Sequence, residues 1–204
     1  MIPEAVVFDL GKVLLDFDYT IAARRIAQRC EASVDQTRLF IDQSPLLHRY
    51  ECGEISTQEF FEEICRLTGF SGTADEFASF FGDIFSPIPI MIDLHAALRR
   101  AGVPTYIFSN TNDLAIRHVR ERYPFFQNFQ GYILSYEHGV MKPDPRIYQV
   151  VERVVGRTGS AIAYLDDKLE NVEAGRARGW QVVHHDSPER SIESLGSMGL
   201  RVKL

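Results

Sequence analysis

The sequence has few cysteines and no cluster of basic residues. Cys30, Cys52 and Cys65 are an odd number, lack CxxC spacing and have no group of histidines nearby, so we expect neither a disulfide framework nor a zinc site. The formal net charge is -6 over 204 residues. Because nucleic acids bind concentrated positive charge, this balance argues against a nucleic-acid partner.

Long apolar runs are also missing. No run approaches the roughly 18 residues that a membrane-spanning helix needs, and the starting segment MIPEAVVFDL lacks the basic start and cleavage site of a signal peptide. We therefore expect a cytoplasmic protein with no membrane partner. The hydrophobic content of 45% suffices for one substantial core, or for a core with a modest inserted domain.

The segment VVFDLGKVLLDFD, from Val6 to Asp18, is the first candidate for chemistry. Val6, Val7 and Phe8 have the pattern of a short buried strand, and Asp9 follows it directly. Ligands of open α/β sheets bind at the carboxyl ends of the strands, which is where Asp9 would stand. A single aspartate after a strand more often caps a turn or a helix, so a catalytic role for Asp9 depends on other segments.

A helical segment follows, over about residues 19–85. Its apolar residues recur at helical spacing with charged residues between them, which predicts an all-helical insertion of about four helices. Ser56 or Thr57 is placed to cap one of these helices, and Thr73 begins a capping-box pattern. The prolines of residues 86–89 predict a linker and a domain boundary, because proline cannot belong to a helix interior.

Beyond the linker, helical and strand patterns alternate. This alternation predicts βαβ units and hence an α/β fold with a doubly wound parallel sheet and helices on both faces. The predicted strands are 105–108, 132–134, 161–165 and 181–184. The predicted helices are 91–101, 113–122, 145–155 and 171–178, followed by a short helix capped by Ser191 and an edge strand at 201–204.

Polar residues stand beside three of these predicted elements. Ser109 and Asn110 end a strand, where hydroxyl and amide groups can bind a phosphate or a carboxylate. Lys142 lies in MKPDP, whose prolines fix its flank, so we expect this lysine to be aimed rather than solvated. Asp166 and Asp167 end another strand, and because adjacent acids repel each other they predict a Mg²⁺ site.

An acid, a hydroxyl, a lysine and a paired acid in this order resemble the haloacid dehalogenase (HAD) superfamily, and most of all its α-D-glucose-1-phosphate phosphatase-like branch. The resemblance covers nearly the whole chain. It implies a HAD-like Rossmannoid core at residues 1–15 and 89–204, with an inserted helical cap at 16–88 that closes over the site. The residues that carry it are DLGKV at 9–13, ECGEIS at 51–56, FSNTN at 108–112, MKPDPRIY at 141–148 and LDDKLENVEAGRARG at 165–179.

The resemblance also implies the catalytic and substrate-binding residues. Asp9 would attack phosphorus and form an aspartyl-phosphate, while Ser109 and Lys142 would hold the phosphoryl oxygens. The candidates for substrate contact are Asn110, Lys12, Arg49 and Glu51, with His48 and Tyr50 beside the last two in the cap.

The implied metal site consists of Asp9, the backbone carbonyl of Gly11 and the acid pair. Oxygen atoms of these kinds are the ligands that Mg²⁺ prefers. Asp167 would be the direct ligand, and Asp166 would lie behind it. Asn171, near the start of the following helix, would brace this loop.

One position departs from the family pattern. Most phosphatases of this superfamily carry a second aspartate two residues after the nucleophile, where it acts as general acid, and here that position is Gly11. General acid–base catalysis typically contributes about 10²–10⁴-fold, so a phosphatase with this sequence must obtain its proton elsewhere. Asp16 and Asp18 are the nearest acids in sequence, and we choose neither. Lys12 is also unusual at its position, where it would either bind substrate or compete with the metal.

Three functions remain open on the sequence. The first is a Mg²⁺-dependent phosphatase that hydrolyses a small phosphomonoester, with a sugar phosphate as the expected substrate. The second is a metal-independent 2-haloacid dehalogenase, which also lacks the second acid because a halide leaves without a proton, although dehalogenases do not carry a paired acid. The third is a HAD-fold binding module whose chemistry has decayed. Retention of Asp9, Ser109, Lys142 and the acid pair favours the phosphatase, and we expect a monomer or a weak homodimer.

Overall fold

The computed structural model describes residues 1–42 and 44–203. Its strands are β1 (Ala5–Phe8), β2 (Leu15–Phe17), β3 (Phe85–Pro87), β4 (Thr105–Ser109), β5 (Gly131–Leu134), β6 (Ile162–Asp166) and β7 (Gln181–His184). Five of them form a parallel sheet in the order β5-β4-β1-β6-β7. β2 and β3 pair separately and antiparallel.

Helices cover both faces of the parallel sheet, as the alternating sequence pattern predicts. They are α6 (Pro89–Arg100), α7 (Asp113–Arg122), α8 (Ser135–His138), α9 (Pro145–Val155), α10 (Leu169–Ala177) and α11 (Pro188–Ser197). Apolar side chains of α6, α7 and α11 pack in the core on one face. Those of α9 and α10 pack on the other. The fold is therefore a doubly wound α/β sheet.

β1 lies at the centre of the sheet because all four of its side chains are apolar and can be buried on either face. Val6 and Phe8 point into the first core. Ala5 and Val7 point into the second. This alternation follows from the two-residue period of a strand. The acid that follows β1 therefore stands at the middle of the sheet edge.

Five helices occupy the described part of the segment between β2 and β3, where the sequence predicted about four. They are α1 (Tyr19–Ala27), α2 (Val34–Ile41), α3 (Pro45–Glu51), α4 (Thr57–Thr68) and α5 (Ala74–Gly82). Ser56 and Thr73 cap α4 and α5 through capping boxes with Glu59 and Glu76, as predicted. Phe60, Phe77 and Phe81 lie in a third core that these helices share.

The prediction of a linker at residues 86–89 was wrong. Ser86 and Pro87 belong to β3, and Pro89 begins α6. Proline is tolerated in both places, because an edge strand and the first turn of a helix can each spare an N–H donor. The two short strands carry the chain into and out of the helical insertion. The boundaries proposed for the cap, at residues 16 and 88, fall within and just beyond this strand pair.

The C-terminal segment also differs from the prediction. Ser187, not Ser191, caps α11. Ser191 lies buried inside the helix, with its Oγ 2.7 Å from His185 Nδ1. Residues 201–203 form no strand, and Leu204 lies outside the described residues. None of the helices formed by the described residues has the length and apolar character needed to cross a bilayer.

The helical insertion is joined to the sheet by hydrogen bonds around Tyr50. The Leu114 N–H donates to Tyr50 Oη at 3.1 Å, and Thr57 Oγ1 donates to Asp113 Oδ2 at 2.8 Å. Tyr50 Oη and Thr57 Oγ1 are 2.8 Å apart, so the tyrosine donates its proton to the threonine. The side chain of Leu114 packs in the core of the insertion. The end of α3 and the start of α4 are therefore fixed to the first turn of α7.

Candidate active site

The carboxyl ends of β1, β4 and β6 bring Asp9, Ser109 and Asp166 to one edge of the sheet. The three strands are direct neighbours, so residues at their ends are held side by side. All three side chains are buried. Asp9 is fixed from both sides, because its N–H donates to the Leu165 carbonyl at 2.9 Å and its Oδ1 accepts the Leu10 N–H at 2.7 Å.

Lys142 links these strand ends. Its Nζ lies 3.0 Å from Asp9 Oδ1 and 2.6 Å from Asp166 Oδ2, and it donates to the Phe108 carbonyl at 2.9 Å. These contacts occupy the three donors of an ammonium group. Burial alone would lower the pKa of Lys142, but the two carboxylates raise it above its ordinary value, so the lysine stays charged. The lysine is thus aimed at the acids, as its sequence context indicates.

Asp166 is saturated with hydrogen bonds. Its Oδ2 accepts from Lys142 Nζ and from the Tyr164 hydroxyl. Its Oδ1 accepts from the Lys168 N–H and from Asn171 Nδ2, each at 2.9 Å. Burial opposes ionisation, yet Lys142 and the other donors lower the pKa of Asp166. This acid is therefore a fixed carboxylate whose oxygen atoms are already engaged.

The grouping of acids fits a divalent cation. Asp9, Asp166 and Asp167 each place a carboxylate oxygen within 4.8 Å of the others. Burial raises the pKa of Asp9 to about 7 despite Lys142, and the charges of Asp166 and Asp167 add to the rise. Burial and then the charge of Asp166 raise the pKa of Asp167 in the same way. Three acids around one ammonium need further positive charge, which a metal ion would supply.

Asp167 and Gly11 have oxygen atoms that remain available to a metal ion. Within residues 1–42 and 44–203, no other residue donates a hydrogen bond to the Asp167 carboxylate or to the Gly11 carbonyl. Asn171 Oδ1 is buried and has no partner among the described residues, so it can accept from a metal-bound water. Asp9, Gly11 and Asp167 could thus hold Mg²⁺, with Asp166 and Asn171 behind them.

The side chains of Asn110 and Ser109 differ in whether they remain free to bind a ligand. Asn110 clamps Lys142, because its Oδ1 accepts the Lys142 N–H at 2.7 Å and its Nδ2 donates to the Lys142 carbonyl at 3.0 Å. Ser109 Oγ makes only a long hydrogen bond, of 3.3 Å, to the Asn110 carbonyl. The serine hydroxyl can therefore turn to a ligand. The substrate role predicted for Asn110 stays a prediction, since its side chain already positions the lysine.

A cavity of about 860 Å³ opens above the sheet edge. Its floor includes Asp9, Ser109, Lys142 and Asp167. Its other wall comes from the helical insertion and is rich in charge. The charged and titratable residues of that wall are Asp16, Asp18, Tyr19, Arg38, Asp42, His48 and Glu51.

The rotation of α3 decides which of its residues reach this cavity. Leu47, His48 and Glu51 line it. These positions share one helical face, whereas Arg49 and Tyr50 lie on others. Arg49 is exposed, with its Nε 3.7 Å from Glu54 Oε2, and is absent from the described cavity wall. The cavity geometry therefore supports the predicted substrate contact of Glu51 and not that of Arg49.

Phe17 fills the space beside Gly11. A Cβ atom at position 11 would lie 2.8 Å from the Phe17 ring, closer than real side chains approach. The ring is held in place by Tyr19, at 5.7 Å between centroids, and by Phe85, at 6.1 Å. Glycine at position 11 and phenylalanine at position 17 are therefore one packing arrangement. The side chain of a general acid cannot occupy position 11 while this ring stays where it is.

Lys12 adopts the left-handed backbone conformation, with φ of 60°. Its ammonium pairs with Asp16, donates to the Phe17 carbonyl at 2.9 Å and lies 4.8 Å from the centre of the Phe17 ring. The lysine lines the cavity, and its side chain is 45% exposed. Its pairing with Asp16 argues against competition with the metal at Asp9.

Two residues of the site were not predicted from the sequence. Phe17 was not considered, although an aromatic residue inside DFD beside the proposed nucleophile loop was a signal. Lys168 was also missed, although it follows the acid pair directly in LDDK. Its N–H binds Asp166, and its side chain lines the cavity.

Comparison with known proteins adds a family and several relatives. A family model described as haloacid dehalogenase-like hydrolase matches residues 3–179. Acyl-CoA dehydrogenase family member 10 of Mus musculus is 28% identical in an alignment that covers 96% of this chain and 19% of that protein. The chain thus spans about a fifth of that relative's length.

Two shorter relatives are similar over most of both chains. Sesquiterpene phosphatase AstK of Aspergillus oryzae is 26% identical, over 89% of this chain and 89% of its own. D-ribitol-5-phosphate phosphatase of Bacteroides thetaiotaomicron is 25% identical, over 86% of this chain and 88% of its own. A HAD family enzyme of B. thetaiotaomicron, solved with magnesium and inorganic phosphate, has a TM-score of 0.78 at 21% identity, covering 89% of this chain and 93% of that one. At this identity the likeness shows the fold.

Proposed function

Because this chain belongs to the haloacid dehalogenase-like hydrolases, we propose that it is a Mg²⁺-dependent phosphatase that hydrolyses a small phosphomonoester. The observation that carries the proposal is Lys142 Nζ at 3.0 Å from Asp9 Oδ1, beside three acids grouped within 4.8 Å. A nucleophilic carboxylate, a fixed ammonium and a cation site are the parts that phosphoryl transfer needs. Two of the relatives are phosphatases, which supports the same reaction.

In the first step, the Asp9 carboxylate attacks phosphorus and the bond to the ester oxygen breaks. When bound at Asp9, Gly11 and Asp167, Mg²⁺ supplies positive charge that offsets the repulsion between Asp9 and an anionic substrate. The Ser109 hydroxyl binds an oxygen of the transferring phosphoryl group, and the charge of Lys142, 3.0 Å from Asp9 Oδ1, stabilises the negative charge on that group. Attacking and leaving oxygens lie roughly in line, so the leaving group departs on the side away from Asp9, toward the helical insertion.

In the second step, water attacks the phosphorus of the aspartyl-phosphate. The bond between phosphorus and Asp9 breaks, and its electron pair restores the carboxylate. Lys142 keeps its contact with Asp166 throughout, at 2.6 Å, so its position does not depend on the state of Asp9. Two easier displacements thus replace one difficult hydrolysis.

The substrate we propose is a sugar or polyol phosphate. The insertion side of the cavity presents both acidic and basic side chains, including Asp18, Arg38, Asp42 and His48. Hydroxyl groups can donate to such acids and accept from such bases, whereas a terpenyl chain would leave them desolvated without partners. The names of the two phosphatase relatives give a sesquiterpene and D-ribitol 5-phosphate as substrates. The polar wall of this cavity suits a ribitol phosphate better than a sesquiterpenyl phosphate.

The test is phosphate release from a panel of esters with and without Mg²⁺. The panel contains p-nitrophenyl phosphate, hexose phosphates, pentitol phosphates and farnesyl phosphate. We expect Mg²⁺-dependent turnover that EDTA abolishes, with a higher kcat/KM for the hydroxylated esters than for farnesyl phosphate. Preference for farnesyl phosphate would reject the substrate class while keeping the reaction.

Dehalogenase activity is the alternative outcome of the same test. Chloride release from 2-chloropropionate in EDTA, without phosphate release from any ester, would reject the phosphatase. The cavity argues against it, because Asp167 is a partly buried acid, without an ion pair in the described part of the chain, that a metal-independent reaction does not need. A folded protein without either activity would instead favour a binding module.

A further inference from the structure

The proton for the leaving oxygen has no donor beside the nucleophile. Position 11 is glycine, and the Phe17 ring lies 2.8 Å from where its Cβ would be. An alkoxide is a poor leaving group without a proton, so sugar and polyol phosphates require a donor. The leaving oxygen faces the helical insertion, and a donor must therefore come from that wall of the cavity.

Two acids of this wall are already bound to other partners. The Asp16 carboxylate pairs with Lys12 and accepts the Phe17 N–H at 2.8 Å, contacts that lower its pKa. Asp18 caps α1 by accepting the Thr20 N–H at 2.8 Å, and this hydrogen bonding lowers the pKa of Asp18. Both carboxyls are therefore ionised at neutral pH and hold no proton to give.

Asp42 and Tyr19 are also unsuited to proton transfer. Asp42 Oδ2 lies 3.5 Å from the Arg38 guanidinium, so this carboxylate is already in an ion pair. Burial holds the pKa of the Tyr19 phenol well above its ordinary value, so it gives up its proton reluctantly. His48, which also lines the cavity, is exposed.

Glu51 differs from all of these. It is partly buried in the cavity wall, and its carboxylate has no hydrogen-bond partner and no ion pair in the described parts of the chain. Burial, opposed by Lys168 and assisted by Asp42, raises the pKa of Glu51 to about 7. Lys168 directly follows the metal-site acid Asp167, so Glu51 lies within electrostatic reach of the loop that carries the reaction.

The chain on both sides of Glu51 is anchored to the sheet domain. Tyr50 Oη accepts the Leu114 N–H at 3.1 Å, and Leu114 stands in the first turn of the helix that follows Ser109. A Cβ atom on Gly53 would lie 2.1 Å from the Tyr136 carbonyl oxygen, so the turn after α3 rests directly on that backbone. Glu51 is thereby held at a fixed place relative to Asp9 rather than carried on a loose lid.

We infer that Glu51 is the general acid and base of the reaction, taking the role that Gly11 leaves vacant; this inference rests on the proposed phosphatase function. As the bond between phosphorus and the ester oxygen breaks, its electron pair stays on that oxygen, which takes the proton of the Glu51 carboxyl and leaves as an alcohol. The Glu51 carboxylate then takes a proton from the attacking water. The bond between phosphorus and Asp9 breaks, phosphate departs, and Glu51 is protonated again.

The test compares Glu51→Gln with the wild-type protein on esters whose leaving groups differ in acidity. p-Nitrophenolate leaves without a proton, whereas the alkoxide of a hexose or pentitol phosphate needs one. We expect kcat/KM of the variant to fall about 10²–10⁴-fold for the alkyl esters and at most about tenfold for p-nitrophenyl phosphate. The fall of wild-type kcat/KM for alkyl esters as the pH rises through about 7 should disappear in the variant.

Two controls keep the result interpretable. Glu54→Gln changes an exposed acid three residues away that faces Arg49. It should change kcat/KM by no more than about twofold for either class of ester. Glu51→Asp keeps a carboxyl and should recover part of the alkyl-ester rate that Glu51→Gln loses. An equal loss on all substrates, or an alkaline limb that survives in Glu51→Gln, would overturn the inference while leaving the phosphatase standing. A wild-type protein without turnover on any ester would overturn both.

Discussion

The two walls of the cavity are built differently. At the sheet edge, Asp9, Lys142 and Asp166 are buried, and they bind one another at 3.0 and 2.6 Å. On the insertion side, the charged groups are more exposed, and the contact between Arg38 and Asp42 is 3.5 Å. Lys142 and the Asp166 carboxylate have their hydrogen-bond partners before any ligand binds. The other wall keeps donors and acceptors that can adapt.

This difference separates the reaction from its selectivity. Transition-state stabilisation requires groups that do not reorganise, and the sheet edge provides them. Recognition of a substrate tolerates weaker and more exposed contacts, which the insertion provides. Glu51 is the exception, because it belongs to the adaptable wall and is anchored like the edge. Changes at the edge should therefore alter the rate for every substrate, and changes in the insertion should alter some substrates more than others.

The largest expected effect is that of Asp9→Asn. Removal of the nucleophile should reduce kcat at least about 10⁴-fold for every ester, because no other carboxylate stands at the end of β1. Assays of phosphate release, together with acid trapping of the aspartyl-phosphate, would measure this loss of activity. Asp18→Asn, a change in a cap of α1, serves as the control. Equal residual activity in the two variants would contradict the division of the walls.

Lys142→Met should affect activity and stability together. The change removes the ammonium group that pairs with buried Asp166. Breaking a buried pair of this kind costs about 3–5 kcal/mol of unfolding free energy. Activity on all esters should fall by about 10²–10³-fold. Urea unfolding at fixed pH measures the first and kcat/KM the second. Lys168→Met, which changes a lysine of the cavity wall nearby, should lose much less stability and much less activity. Similar losses in the two variants would contradict the difference between the walls.

Tyr50→Phe tests whether anchoring of α3 serves Glu51. The Leu114 N–H loses its acceptor, so the unfolding free energy should fall by about 1–3 kcal/mol. We expect kcat/KM to fall about three- to tenfold for alkyl phosphates, with a smaller fall for p-nitrophenyl phosphate. Tyr136→Phe removes a hydroxyl that bonds exposed Glu137 at 3.3 Å and should change little. An identical loss on both esters would show that the anchor acts without Glu51.

The last expected effect concerns the pH dependence of stability. The pKa of Glu51 rises from 4.5 to about 7 on folding, so between these pH values the folded chain binds more protons than the unfolded one. The unfolding free energy of the wild type should therefore decline, relative to Glu51→Gln, as pH rises from 5 to 7.5, and stay level above. The groups that face Glu51, namely Lys168, Asp42, Tyr19 and Cys52, are common to both proteins. Urea unfolding of both proteins at several pH values would measure this. A rise of the wild-type unfolding free energy relative to Glu51→Gln would show that burial does not raise the pKa of Glu51.

Local patterns predicted most of the sheet and the residues at its edge. The bounds of α7, α9 and β7 were correct because their apolar spacing and their caps lie in the elements themselves. The placement of Asp9 and Asp166 followed from two strands that end in acids. Membership of a parallel sheet was then enough to bring them together.

What the sequence could not predict depends on contacts distant along the chain. β2 and β3 are three residues each and pair across 67 intervening positions, from Asp18 to Ile84. The rotation of α3, which separates Glu51 from Arg49, is set by the hydrogen bond of Tyr50 to Leu114. Neither contact leaves a periodic signal. The assignment of residues 16–88 as a cap and the oligomeric state stay predictions.

The packing of Phe17 against Gly11 makes the order of mutations matter. A chain that acquired aspartate at position 11 first would force the new side chain onto a ring 2.8 Å from its Cβ. The same aspartate arriving after Phe17 had become a small residue would find room. The two positions are therefore epistatic, and the route between this arrangement and that of most phosphatases in the superfamily passes through position 17. A designer who wishes to install the usual acid should begin with the phenylalanine.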